Sequence, residues 1–211
     1  MEEHFTMKEK DQLRIESFWT WFVSNEQKIK DVIQQGSGNE KELLVNALDN
    51  QILAFGLFKW EIGPGDNRPF FFTISPNGSE ELLQISTAII DAAPYLSDWD
   101  FYPALPVKAH QLQFTLFDDF LTEHEIDATT WKAVLNPHFS RKVEIMIEAG
   151  NISHLAPETL LEAGDIATTH LLGESLKITH VKKIEVLPKL PETYKEEAFL
   201  ITELKSRLEG A

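Results

Sequence analysis

The chain has 211 residues, with 34 acids against 19 Lys and Arg, 43% hydrophobic residues and no cysteine, for a formal net charge of -15. A chain of this length forms one large domain or two small ones, and it buries enough surface to stand without a metal or disulfide staple. Thiolate catalysis, disulfides and sulfur-ligated zinc are excluded, and the charge disfavours phosphate backbones and anionic lipid surfaces.

The first predicted element is a helix. Ile15, Phe18, Trp19, Phe22, Ile29, Val32 and Ile33 recur at spacings of three and four, and Gly36-Ser37-Gly38-Asn39 ends the run. Asn39, with Glu42 three residues on, is expected to cap a second helix through Leu44 and Leu48. The period then changes to two. Phe58, Trp60 and Ile62 alternate with Lys59 and Glu61, and Phe70, Phe72 and Ile74 alternate with Phe71, Thr73 and Ser75. Two strands joined by the Gly63-Pro64-Gly65-Asp66-Asn67 turn are expected. A helix from Ser79 to Ala92 follows, stopped by Pro94, and then a strand from Trp99 to Leu105.

Further on, Leu112, Phe114 and Leu116 alternate with polar residues, and Ile126 to Val134 is a weaker strand candidate. Val143, Ile145 and Ile147 alternate clearly. A helix is expected from Pro157 to Leu172, with proline at its first position. A strand is expected over Lys183 to Leu187, and a last helix over Glu192 to Leu208.

The order strand, strand, helix, strand therefore occurs twice. We expect an α+β fold of two similar halves, 1–106 and 107–211, packed as one compact unit or as two. Each half has a small, mainly antiparallel sheet covered by helices, in the manner of ferredoxin-like pseudo-repeats. The acids are shared evenly: 17 acids and 8 bases in the first half, 17 and 11 in the second.

Chemistry-bearing patterns are sparse. His4, His110, His124, His138, His154, His170 and His180 lack helical metal-site spacing, and His124-Glu125 is not completed as a zincin motif. Asp98 with Asp100, and Asp118 with Asp119, lack the calcium-loop frame and sit beside turns, where aspartate serves its own backbone. Gly63-Pro64-Gly65 leads into a strand, so it reads as a hairpin turn and not a phosphate loop. No metal and no cofactor are expected. The constellation with most content is the sheet face opposite the helices. It would carry Lys59, Glu61, Phe71, Thr73 and Ser75, with Tyr102 from the next strand. Lys59, Glu61, Phe71, Thr73 and Tyr102 are the candidate binding residues, unless the second half or another subunit covers that face.

Four stretches stand out together: Trp60-Glu61-Ile62-Gly63; Phe72-Thr73-Ile74-Ser75-Pro76-Asn77-Gly78; Ala92-Ala93-Pro94 followed by Trp99-Asp100-Phe101; and Leu172-Gly173-Glu174 before Lys183-Ile184-Glu185-Val186. Over most of residues 18–187 this set resembles a group of uncharacterised bacterial proteins. The resemblance implies a bacterial origin. Its motifs are strands, turns and a helix stop, so no catalytic residue carries over.

The N-terminus MEEHFTMKEKDQ has no basic region followed by an apolar core, and no run of about 18 apolar residues occurs. A soluble cytoplasmic protein is expected, in which Asn151-Ile152-Ser153 is an incidental sequon. The leading functional expectation is a non-catalytic binding protein, an acidic immunity or adaptor protein for a basic partner. No nucleic-acid or membrane partner is expected, and a homodimer would also hide the aromatic face. The alternative is a hydrolase-like enzyme with a scattered carboxylate site, including Glu61, between the halves.

Overall fold

The three-and-four repeat of Phe18, Trp19, Phe22 and Ile29 forms α1 (Met7–Gln35). Those four side chains are buried. The structure, a computed structural model, describes residues 7–138, 140 and 142–210. His4 and the start of the acidic N-terminal stretch lie outside the described residues. The chain divides into two units, Met1–Ala104 and Leu105–Ala211.

In the first unit α2 (Gly38–Leu53) follows α1 after a single turn. Its cap is Ser37, not Asn39. The Ser37 hydroxyl accepts from Glu40 N, and the Glu40 carboxylate accepts from Ser37 N at 2.9 Å. The expected capping box is present two residues earlier, because Ser37 is the residue left in extended backbone where the chain turns. Then come β1 (Lys59–Pro64), β2 (Phe70–Ser75), α3 (Glu80–Asp91) and β3 (Trp99–Tyr102). β1 and β2 form an antiparallel hairpin, and α3 carries the chain over to β3, which lies parallel to β2. Strand β3 stops at Tyr102, short of the expected Leu105, because Pro103 has no N–H to give a ladder. All three helices feed one aromatic core with Phe70, Phe72, Ile74 and Trp99 from the sheet. The polar ends of its two buried indoles are satisfied. Trp19 Nε1 donates to Ile89 O at 2.7 Å, and Trp99 Nε1 donates to the Glu26 carboxylate at 3.2 Å.

The second unit opens with a hairpin, β4 (Gln113–Phe117) and β5 (Glu123–Asp127). It continues with β6 (Lys132–Pro137), β7 (Val143–Glu148), α4 (Pro157–Leu172), α5 (Glu174–His180), β8 (Val181–Leu187), β9 (Phe199–Leu200) and α6 (Leu204–Glu209). The larger sheet has the order β8-β7-β6-β9, with β7 and β8 parallel and the other pairs antiparallel. The single weak strand expected over Ile126 to Val134 is the end of one strand and the start of another. Asp127 accepts from Thr129 N and Thr129 Oγ1 and turns the chain between them. The expected last helix is largely replaced. Phe199 and Leu200 pair with β6, Ile201 N donates to Trp131 O, and only Leu204–Glu209 is α-helical. Phe199 and Ile201 both point into the core, so an open sheet edge outweighed the helical spacing of Tyr194, Ala198 and Ile201.

The repeated order is thus a hairpin, a helical crossover and a parallel third strand: β1-β2-α3-β3 in one unit and β6-β7-α4-α5-β8 in the other. The fold is α+β, with small, mainly antiparallel sheets covered by helices. The parallel pair in each unit narrows the ferredoxin-like expectation, whose βαββαβ order has an all-antiparallel sheet.

Gly164 sets the spacing of α4 on its sheet. A Cβ there would overlap Val186 Cγ2 and touch Ile147 and Ile184. In an exposed helix Gly→Ala gains about 1 kcal/mol. Here Gly164→Ala should lose about 1–3 kcal/mol, because Val186 is stiff and the helix must lift. A urea titration reads the sign, and a gain in stability would show that α4 yields freely. The Val186→Ala background should recover most of the loss.

Candidate functional site

Strand register places the expected residues on one face of the first sheet. Lys59 pairs with Ser75, Glu61 with Thr73 and Thr73 with Tyr102, while Phe71 lies between Gly63 and Asp100. Period-two backbone makes this unavoidable once Phe70, Phe72 and Ile74 face the helices. Their exposure differs. Lys59 is exposed, Glu61, Phe71 and Tyr102 are half-buried, and Thr73 and Ser75 are buried. The Phe71 ring lies over Gly63, where an added Cβ would sit 3.5 Å from it. Arg68, in the turn just before β2, pairs with Asp100 at 3.3 Å and donates to Leu96 O at 2.8 Å. Burial raises the Tyr102 hydroxyl above its ordinary range, and the Asp100 charge beside it adds to this. Thr73 Oγ1 and Asp100 Oδ2 are buried without a hydrogen-bond partner among the described residues. They sit one diagonal step apart on neighbouring strands. This face therefore holds a tight polar group around Asp100 and Tyr102.

Several of the remaining sequence candidates have local duties. Asp98 pairs with Lys30 at 2.7 Å, which holds its carboxyl below the usual range. His170 Nδ1 lies 2.5 Å from Gln111 O, and His138 Nδ1 lies 2.7 Å from Ser140 Oγ. Asn151, the sequon residue, uses both ends of its amide, accepting from Trp131 Nε1 and donating to Asp127 O, each at 2.8 Å. Among the described residues no three His, Asp or Glu side chains converge as a metal site, and no helix is long and apolar enough to cross a membrane.

Sequence reasoning missed the tip of the β4-β5 hairpin. Phe117 is 53% exposed, Phe120 89% and Leu121 83%. Asp118 organises this tip. Its Oδ1 accepts from Phe120 N at 2.9 Å and Thr122 N at 2.8 Å, and its Oδ2 meets His124 Nε2 at 3.0 Å. Leu121 adopts φ of 60°, an unusual conformation for a branched residue, and its N donates to Asp118 O. From residue 109 to residue 131 there is no Lys or Arg, while Asp118, Asp119, Glu123, Glu125 and Asp127 all fall in that stretch. That absence was a signal available in the sequence.

The hydrogen bond from His124, followed by those from Thr122 and Phe120, holds the Asp118 carboxyl at about 2, well below its ordinary 3.8. A depressed carboxylate stabilises the folded turn above its unfolded pKa, and this is lost as pH falls through the folded value. The amide resonances of Phe120 and Thr122 should therefore shift with a midpoint near pH 2. A midpoint near 4 would remove Asp118 from this role.

No family model, curated protein or solved structure matches the chain.

Proposed function

We propose that this is a cytoplasmic, non-catalytic binding protein whose partner is a basic protein, of the immunity or adaptor kind. One observation carries the reading: several cations are held in local ion pairs while the chain keeps a surplus of 15 acids. Lys30 joins Glu26 and Asp98, Arg68 joins Asp100, Lys177 joins Asp165, and Arg207 joins Glu203. Lys189 and Lys195 share Glu192, and Lys183 joins Glu185. With 34 acids against 19 bases, local pairing leaves a net field of -15. Such a field steers a positive partner and repels a negative one.

The test is capture by the full chain from its own cells at two ionic strengths, with bound proteins identified by mass spectrometry. Basic proteins should be held at physiological salt, where the screening length is about 8 Å, and released near 1 M, where it is about 3 Å. A partner whose association rate ignores salt would sink the electrostatic reading. A second copy of the chain as the main bound mass would replace it with self-association.

A further inference from the structure

The geometry points to the β4-β5 hairpin as the docking element: Phe120 and Leu121, with Phe117 behind them, enter an apolar pocket on a basic protein whose Lys and Arg meet Asp119, Glu123 and Glu125. This rests on the binding reading above and adds the site and the chemistry of the partner surface.

Three observations support it. The tip exposes three large apolar side chains, two of them by more than four-fifths. Apolar side chains clustered this way mark interaction sites, whereas single exposed ones carry no such meaning. The tip is also held rigid, because one carboxylate accepts two backbone N–H groups and meets a histidine across the hairpin. A preorganised loop gives up less entropy on binding. Finally, the Lys, Arg, Asp and Glu charge along the hairpin segment has a single sign. Residues 109–131 contain no Lys or Arg. Asp118 and Asp127 are occupied by their own turns. Asp119 and Glu123 are exposed around the apolar tip, and Glu125 stands on the same exposed strand face as Glu123, accepting from Thr115 across the pair. An apolar centre with a charged rim is the ordinary anatomy of a protein interface. An acidic rim selects a basic one and disfavours the anionic surface of a membrane.

The test places a photoreactive benzoyl-phenylalanine at Phe120 in the full-length chain, with a control at exposed Tyr95. Irradiation in extract from its own cells is followed by peptide mapping of the cross-links. The expected result is a cross-link from position 120, and not from 95, to an apolar site flanked by Lys or Arg. Its yield should fall about tenfold at high salt. Leu121→Gly should reduce it by a similar factor without lowering the melting temperature, since glycine adopts that φ without cost.

The absence of any cross-link from position 120, a cross-link to a second copy, or one to an uncharged surface with salt-independent yield would overturn the proposal. Co-sedimentation of the chain with phosphatidylcholine–phosphatidylglycerol vesicles, lost in Leu121→Gly, would overturn it in favour of a membrane contact. If the salt-sensitive capture succeeds but position 120 stays silent, the basic-partner reading stands and the hairpin is not its site. If capture fails as well, both fall.

Discussion

Phe22→Ala should cost the first unit about 3–5 kcal/mol. Phe22 has no exposed surface and sits at the centre of the aromatic core, with ring centroids 5.1 Å from Trp99, 5.5 Å from Trp19 and 5.6 Å from both Phe72 and Phe101. Burying such a side chain contributes about 1.5–3 kcal/mol by transfer alone. The surrounding rings belong to three different elements, α1, β2 and β3, and cannot all collapse inward, so a cavity term adds to the loss. Trp19, Trp21, Trp60 and Trp99 all lie in this unit, so tryptophan fluorescence in a denaturant titration follows it. The midpoint should fall with little change in slope. A loss under about 1 kcal/mol would mean that the core repacks around the missing ring.

Trp131→Ala should cost the second unit as much, about 3–5 kcal/mol, by a different route. Trp131 is 2% exposed and joins three separate pieces of chain. Its N donates to Ala128 O, its O accepts from Ile201 N, and its indole N–H reaches Asn151, which in turn holds Asp127 O. Removing the ring opens a void under the turn that joins β5 to β6 and loosens the segment leading from β9. Trp131→Phe keeps most of the packing and deletes only the indole hydrogen bond, a loss of about 1 kcal/mol. The two variants are separated by hydrogen exchange of β6 and β9 amides. Protection should collapse at β9 first in Trp131→Ala and hold in Trp131→Phe. Equal protection in both would move the stabilising role from the ring to the hydrogen bond.

The sheets were legible because alternation is a local signal. Trp60 and Ile62, Phe70 to Ile74, and Val143 to Ile147 each announce one buried face, and the two hairpin–helix–strand runs follow from them. The same period placed Lys59, Glu61, Phe71, Thr73 and Tyr102 together on the opposite face. It could not tell that Thr73 is buried and Lys59 exposed, since burial depends on neighbours that alternation does not encode. Strand β5 was hidden by its acids, as Glu123, Glu125 and Asp127 have low strand propensity and Ile126 alone faces the core. The helix expected after Glu192 yielded to a sheet edge distant in sequence. The tip at Phe120 and Leu121 escaped for the converse reason, because hydrophobic patterning is read as a report of burial and these residues are exposed.

Leu105 carries a practical consequence for anyone dividing this protein. Its N donates to the Glu174 carboxylate at 3.0 Å, and its O accepts from Glu174 N at 2.8 Å. Two residues on, Val107 packs beside Gly173, and Lys108 N reaches His170 O. The strap over residues 105–108 is thus part of the second unit, although it reads as a proline-marked linker. A fragment begun after Pro106 would strip a backbone donor from a carboxylate that is only 4% exposed. Separate expression of the halves should therefore cut ahead of Leu105, leaving the strap to close over the junction between α4 and α5.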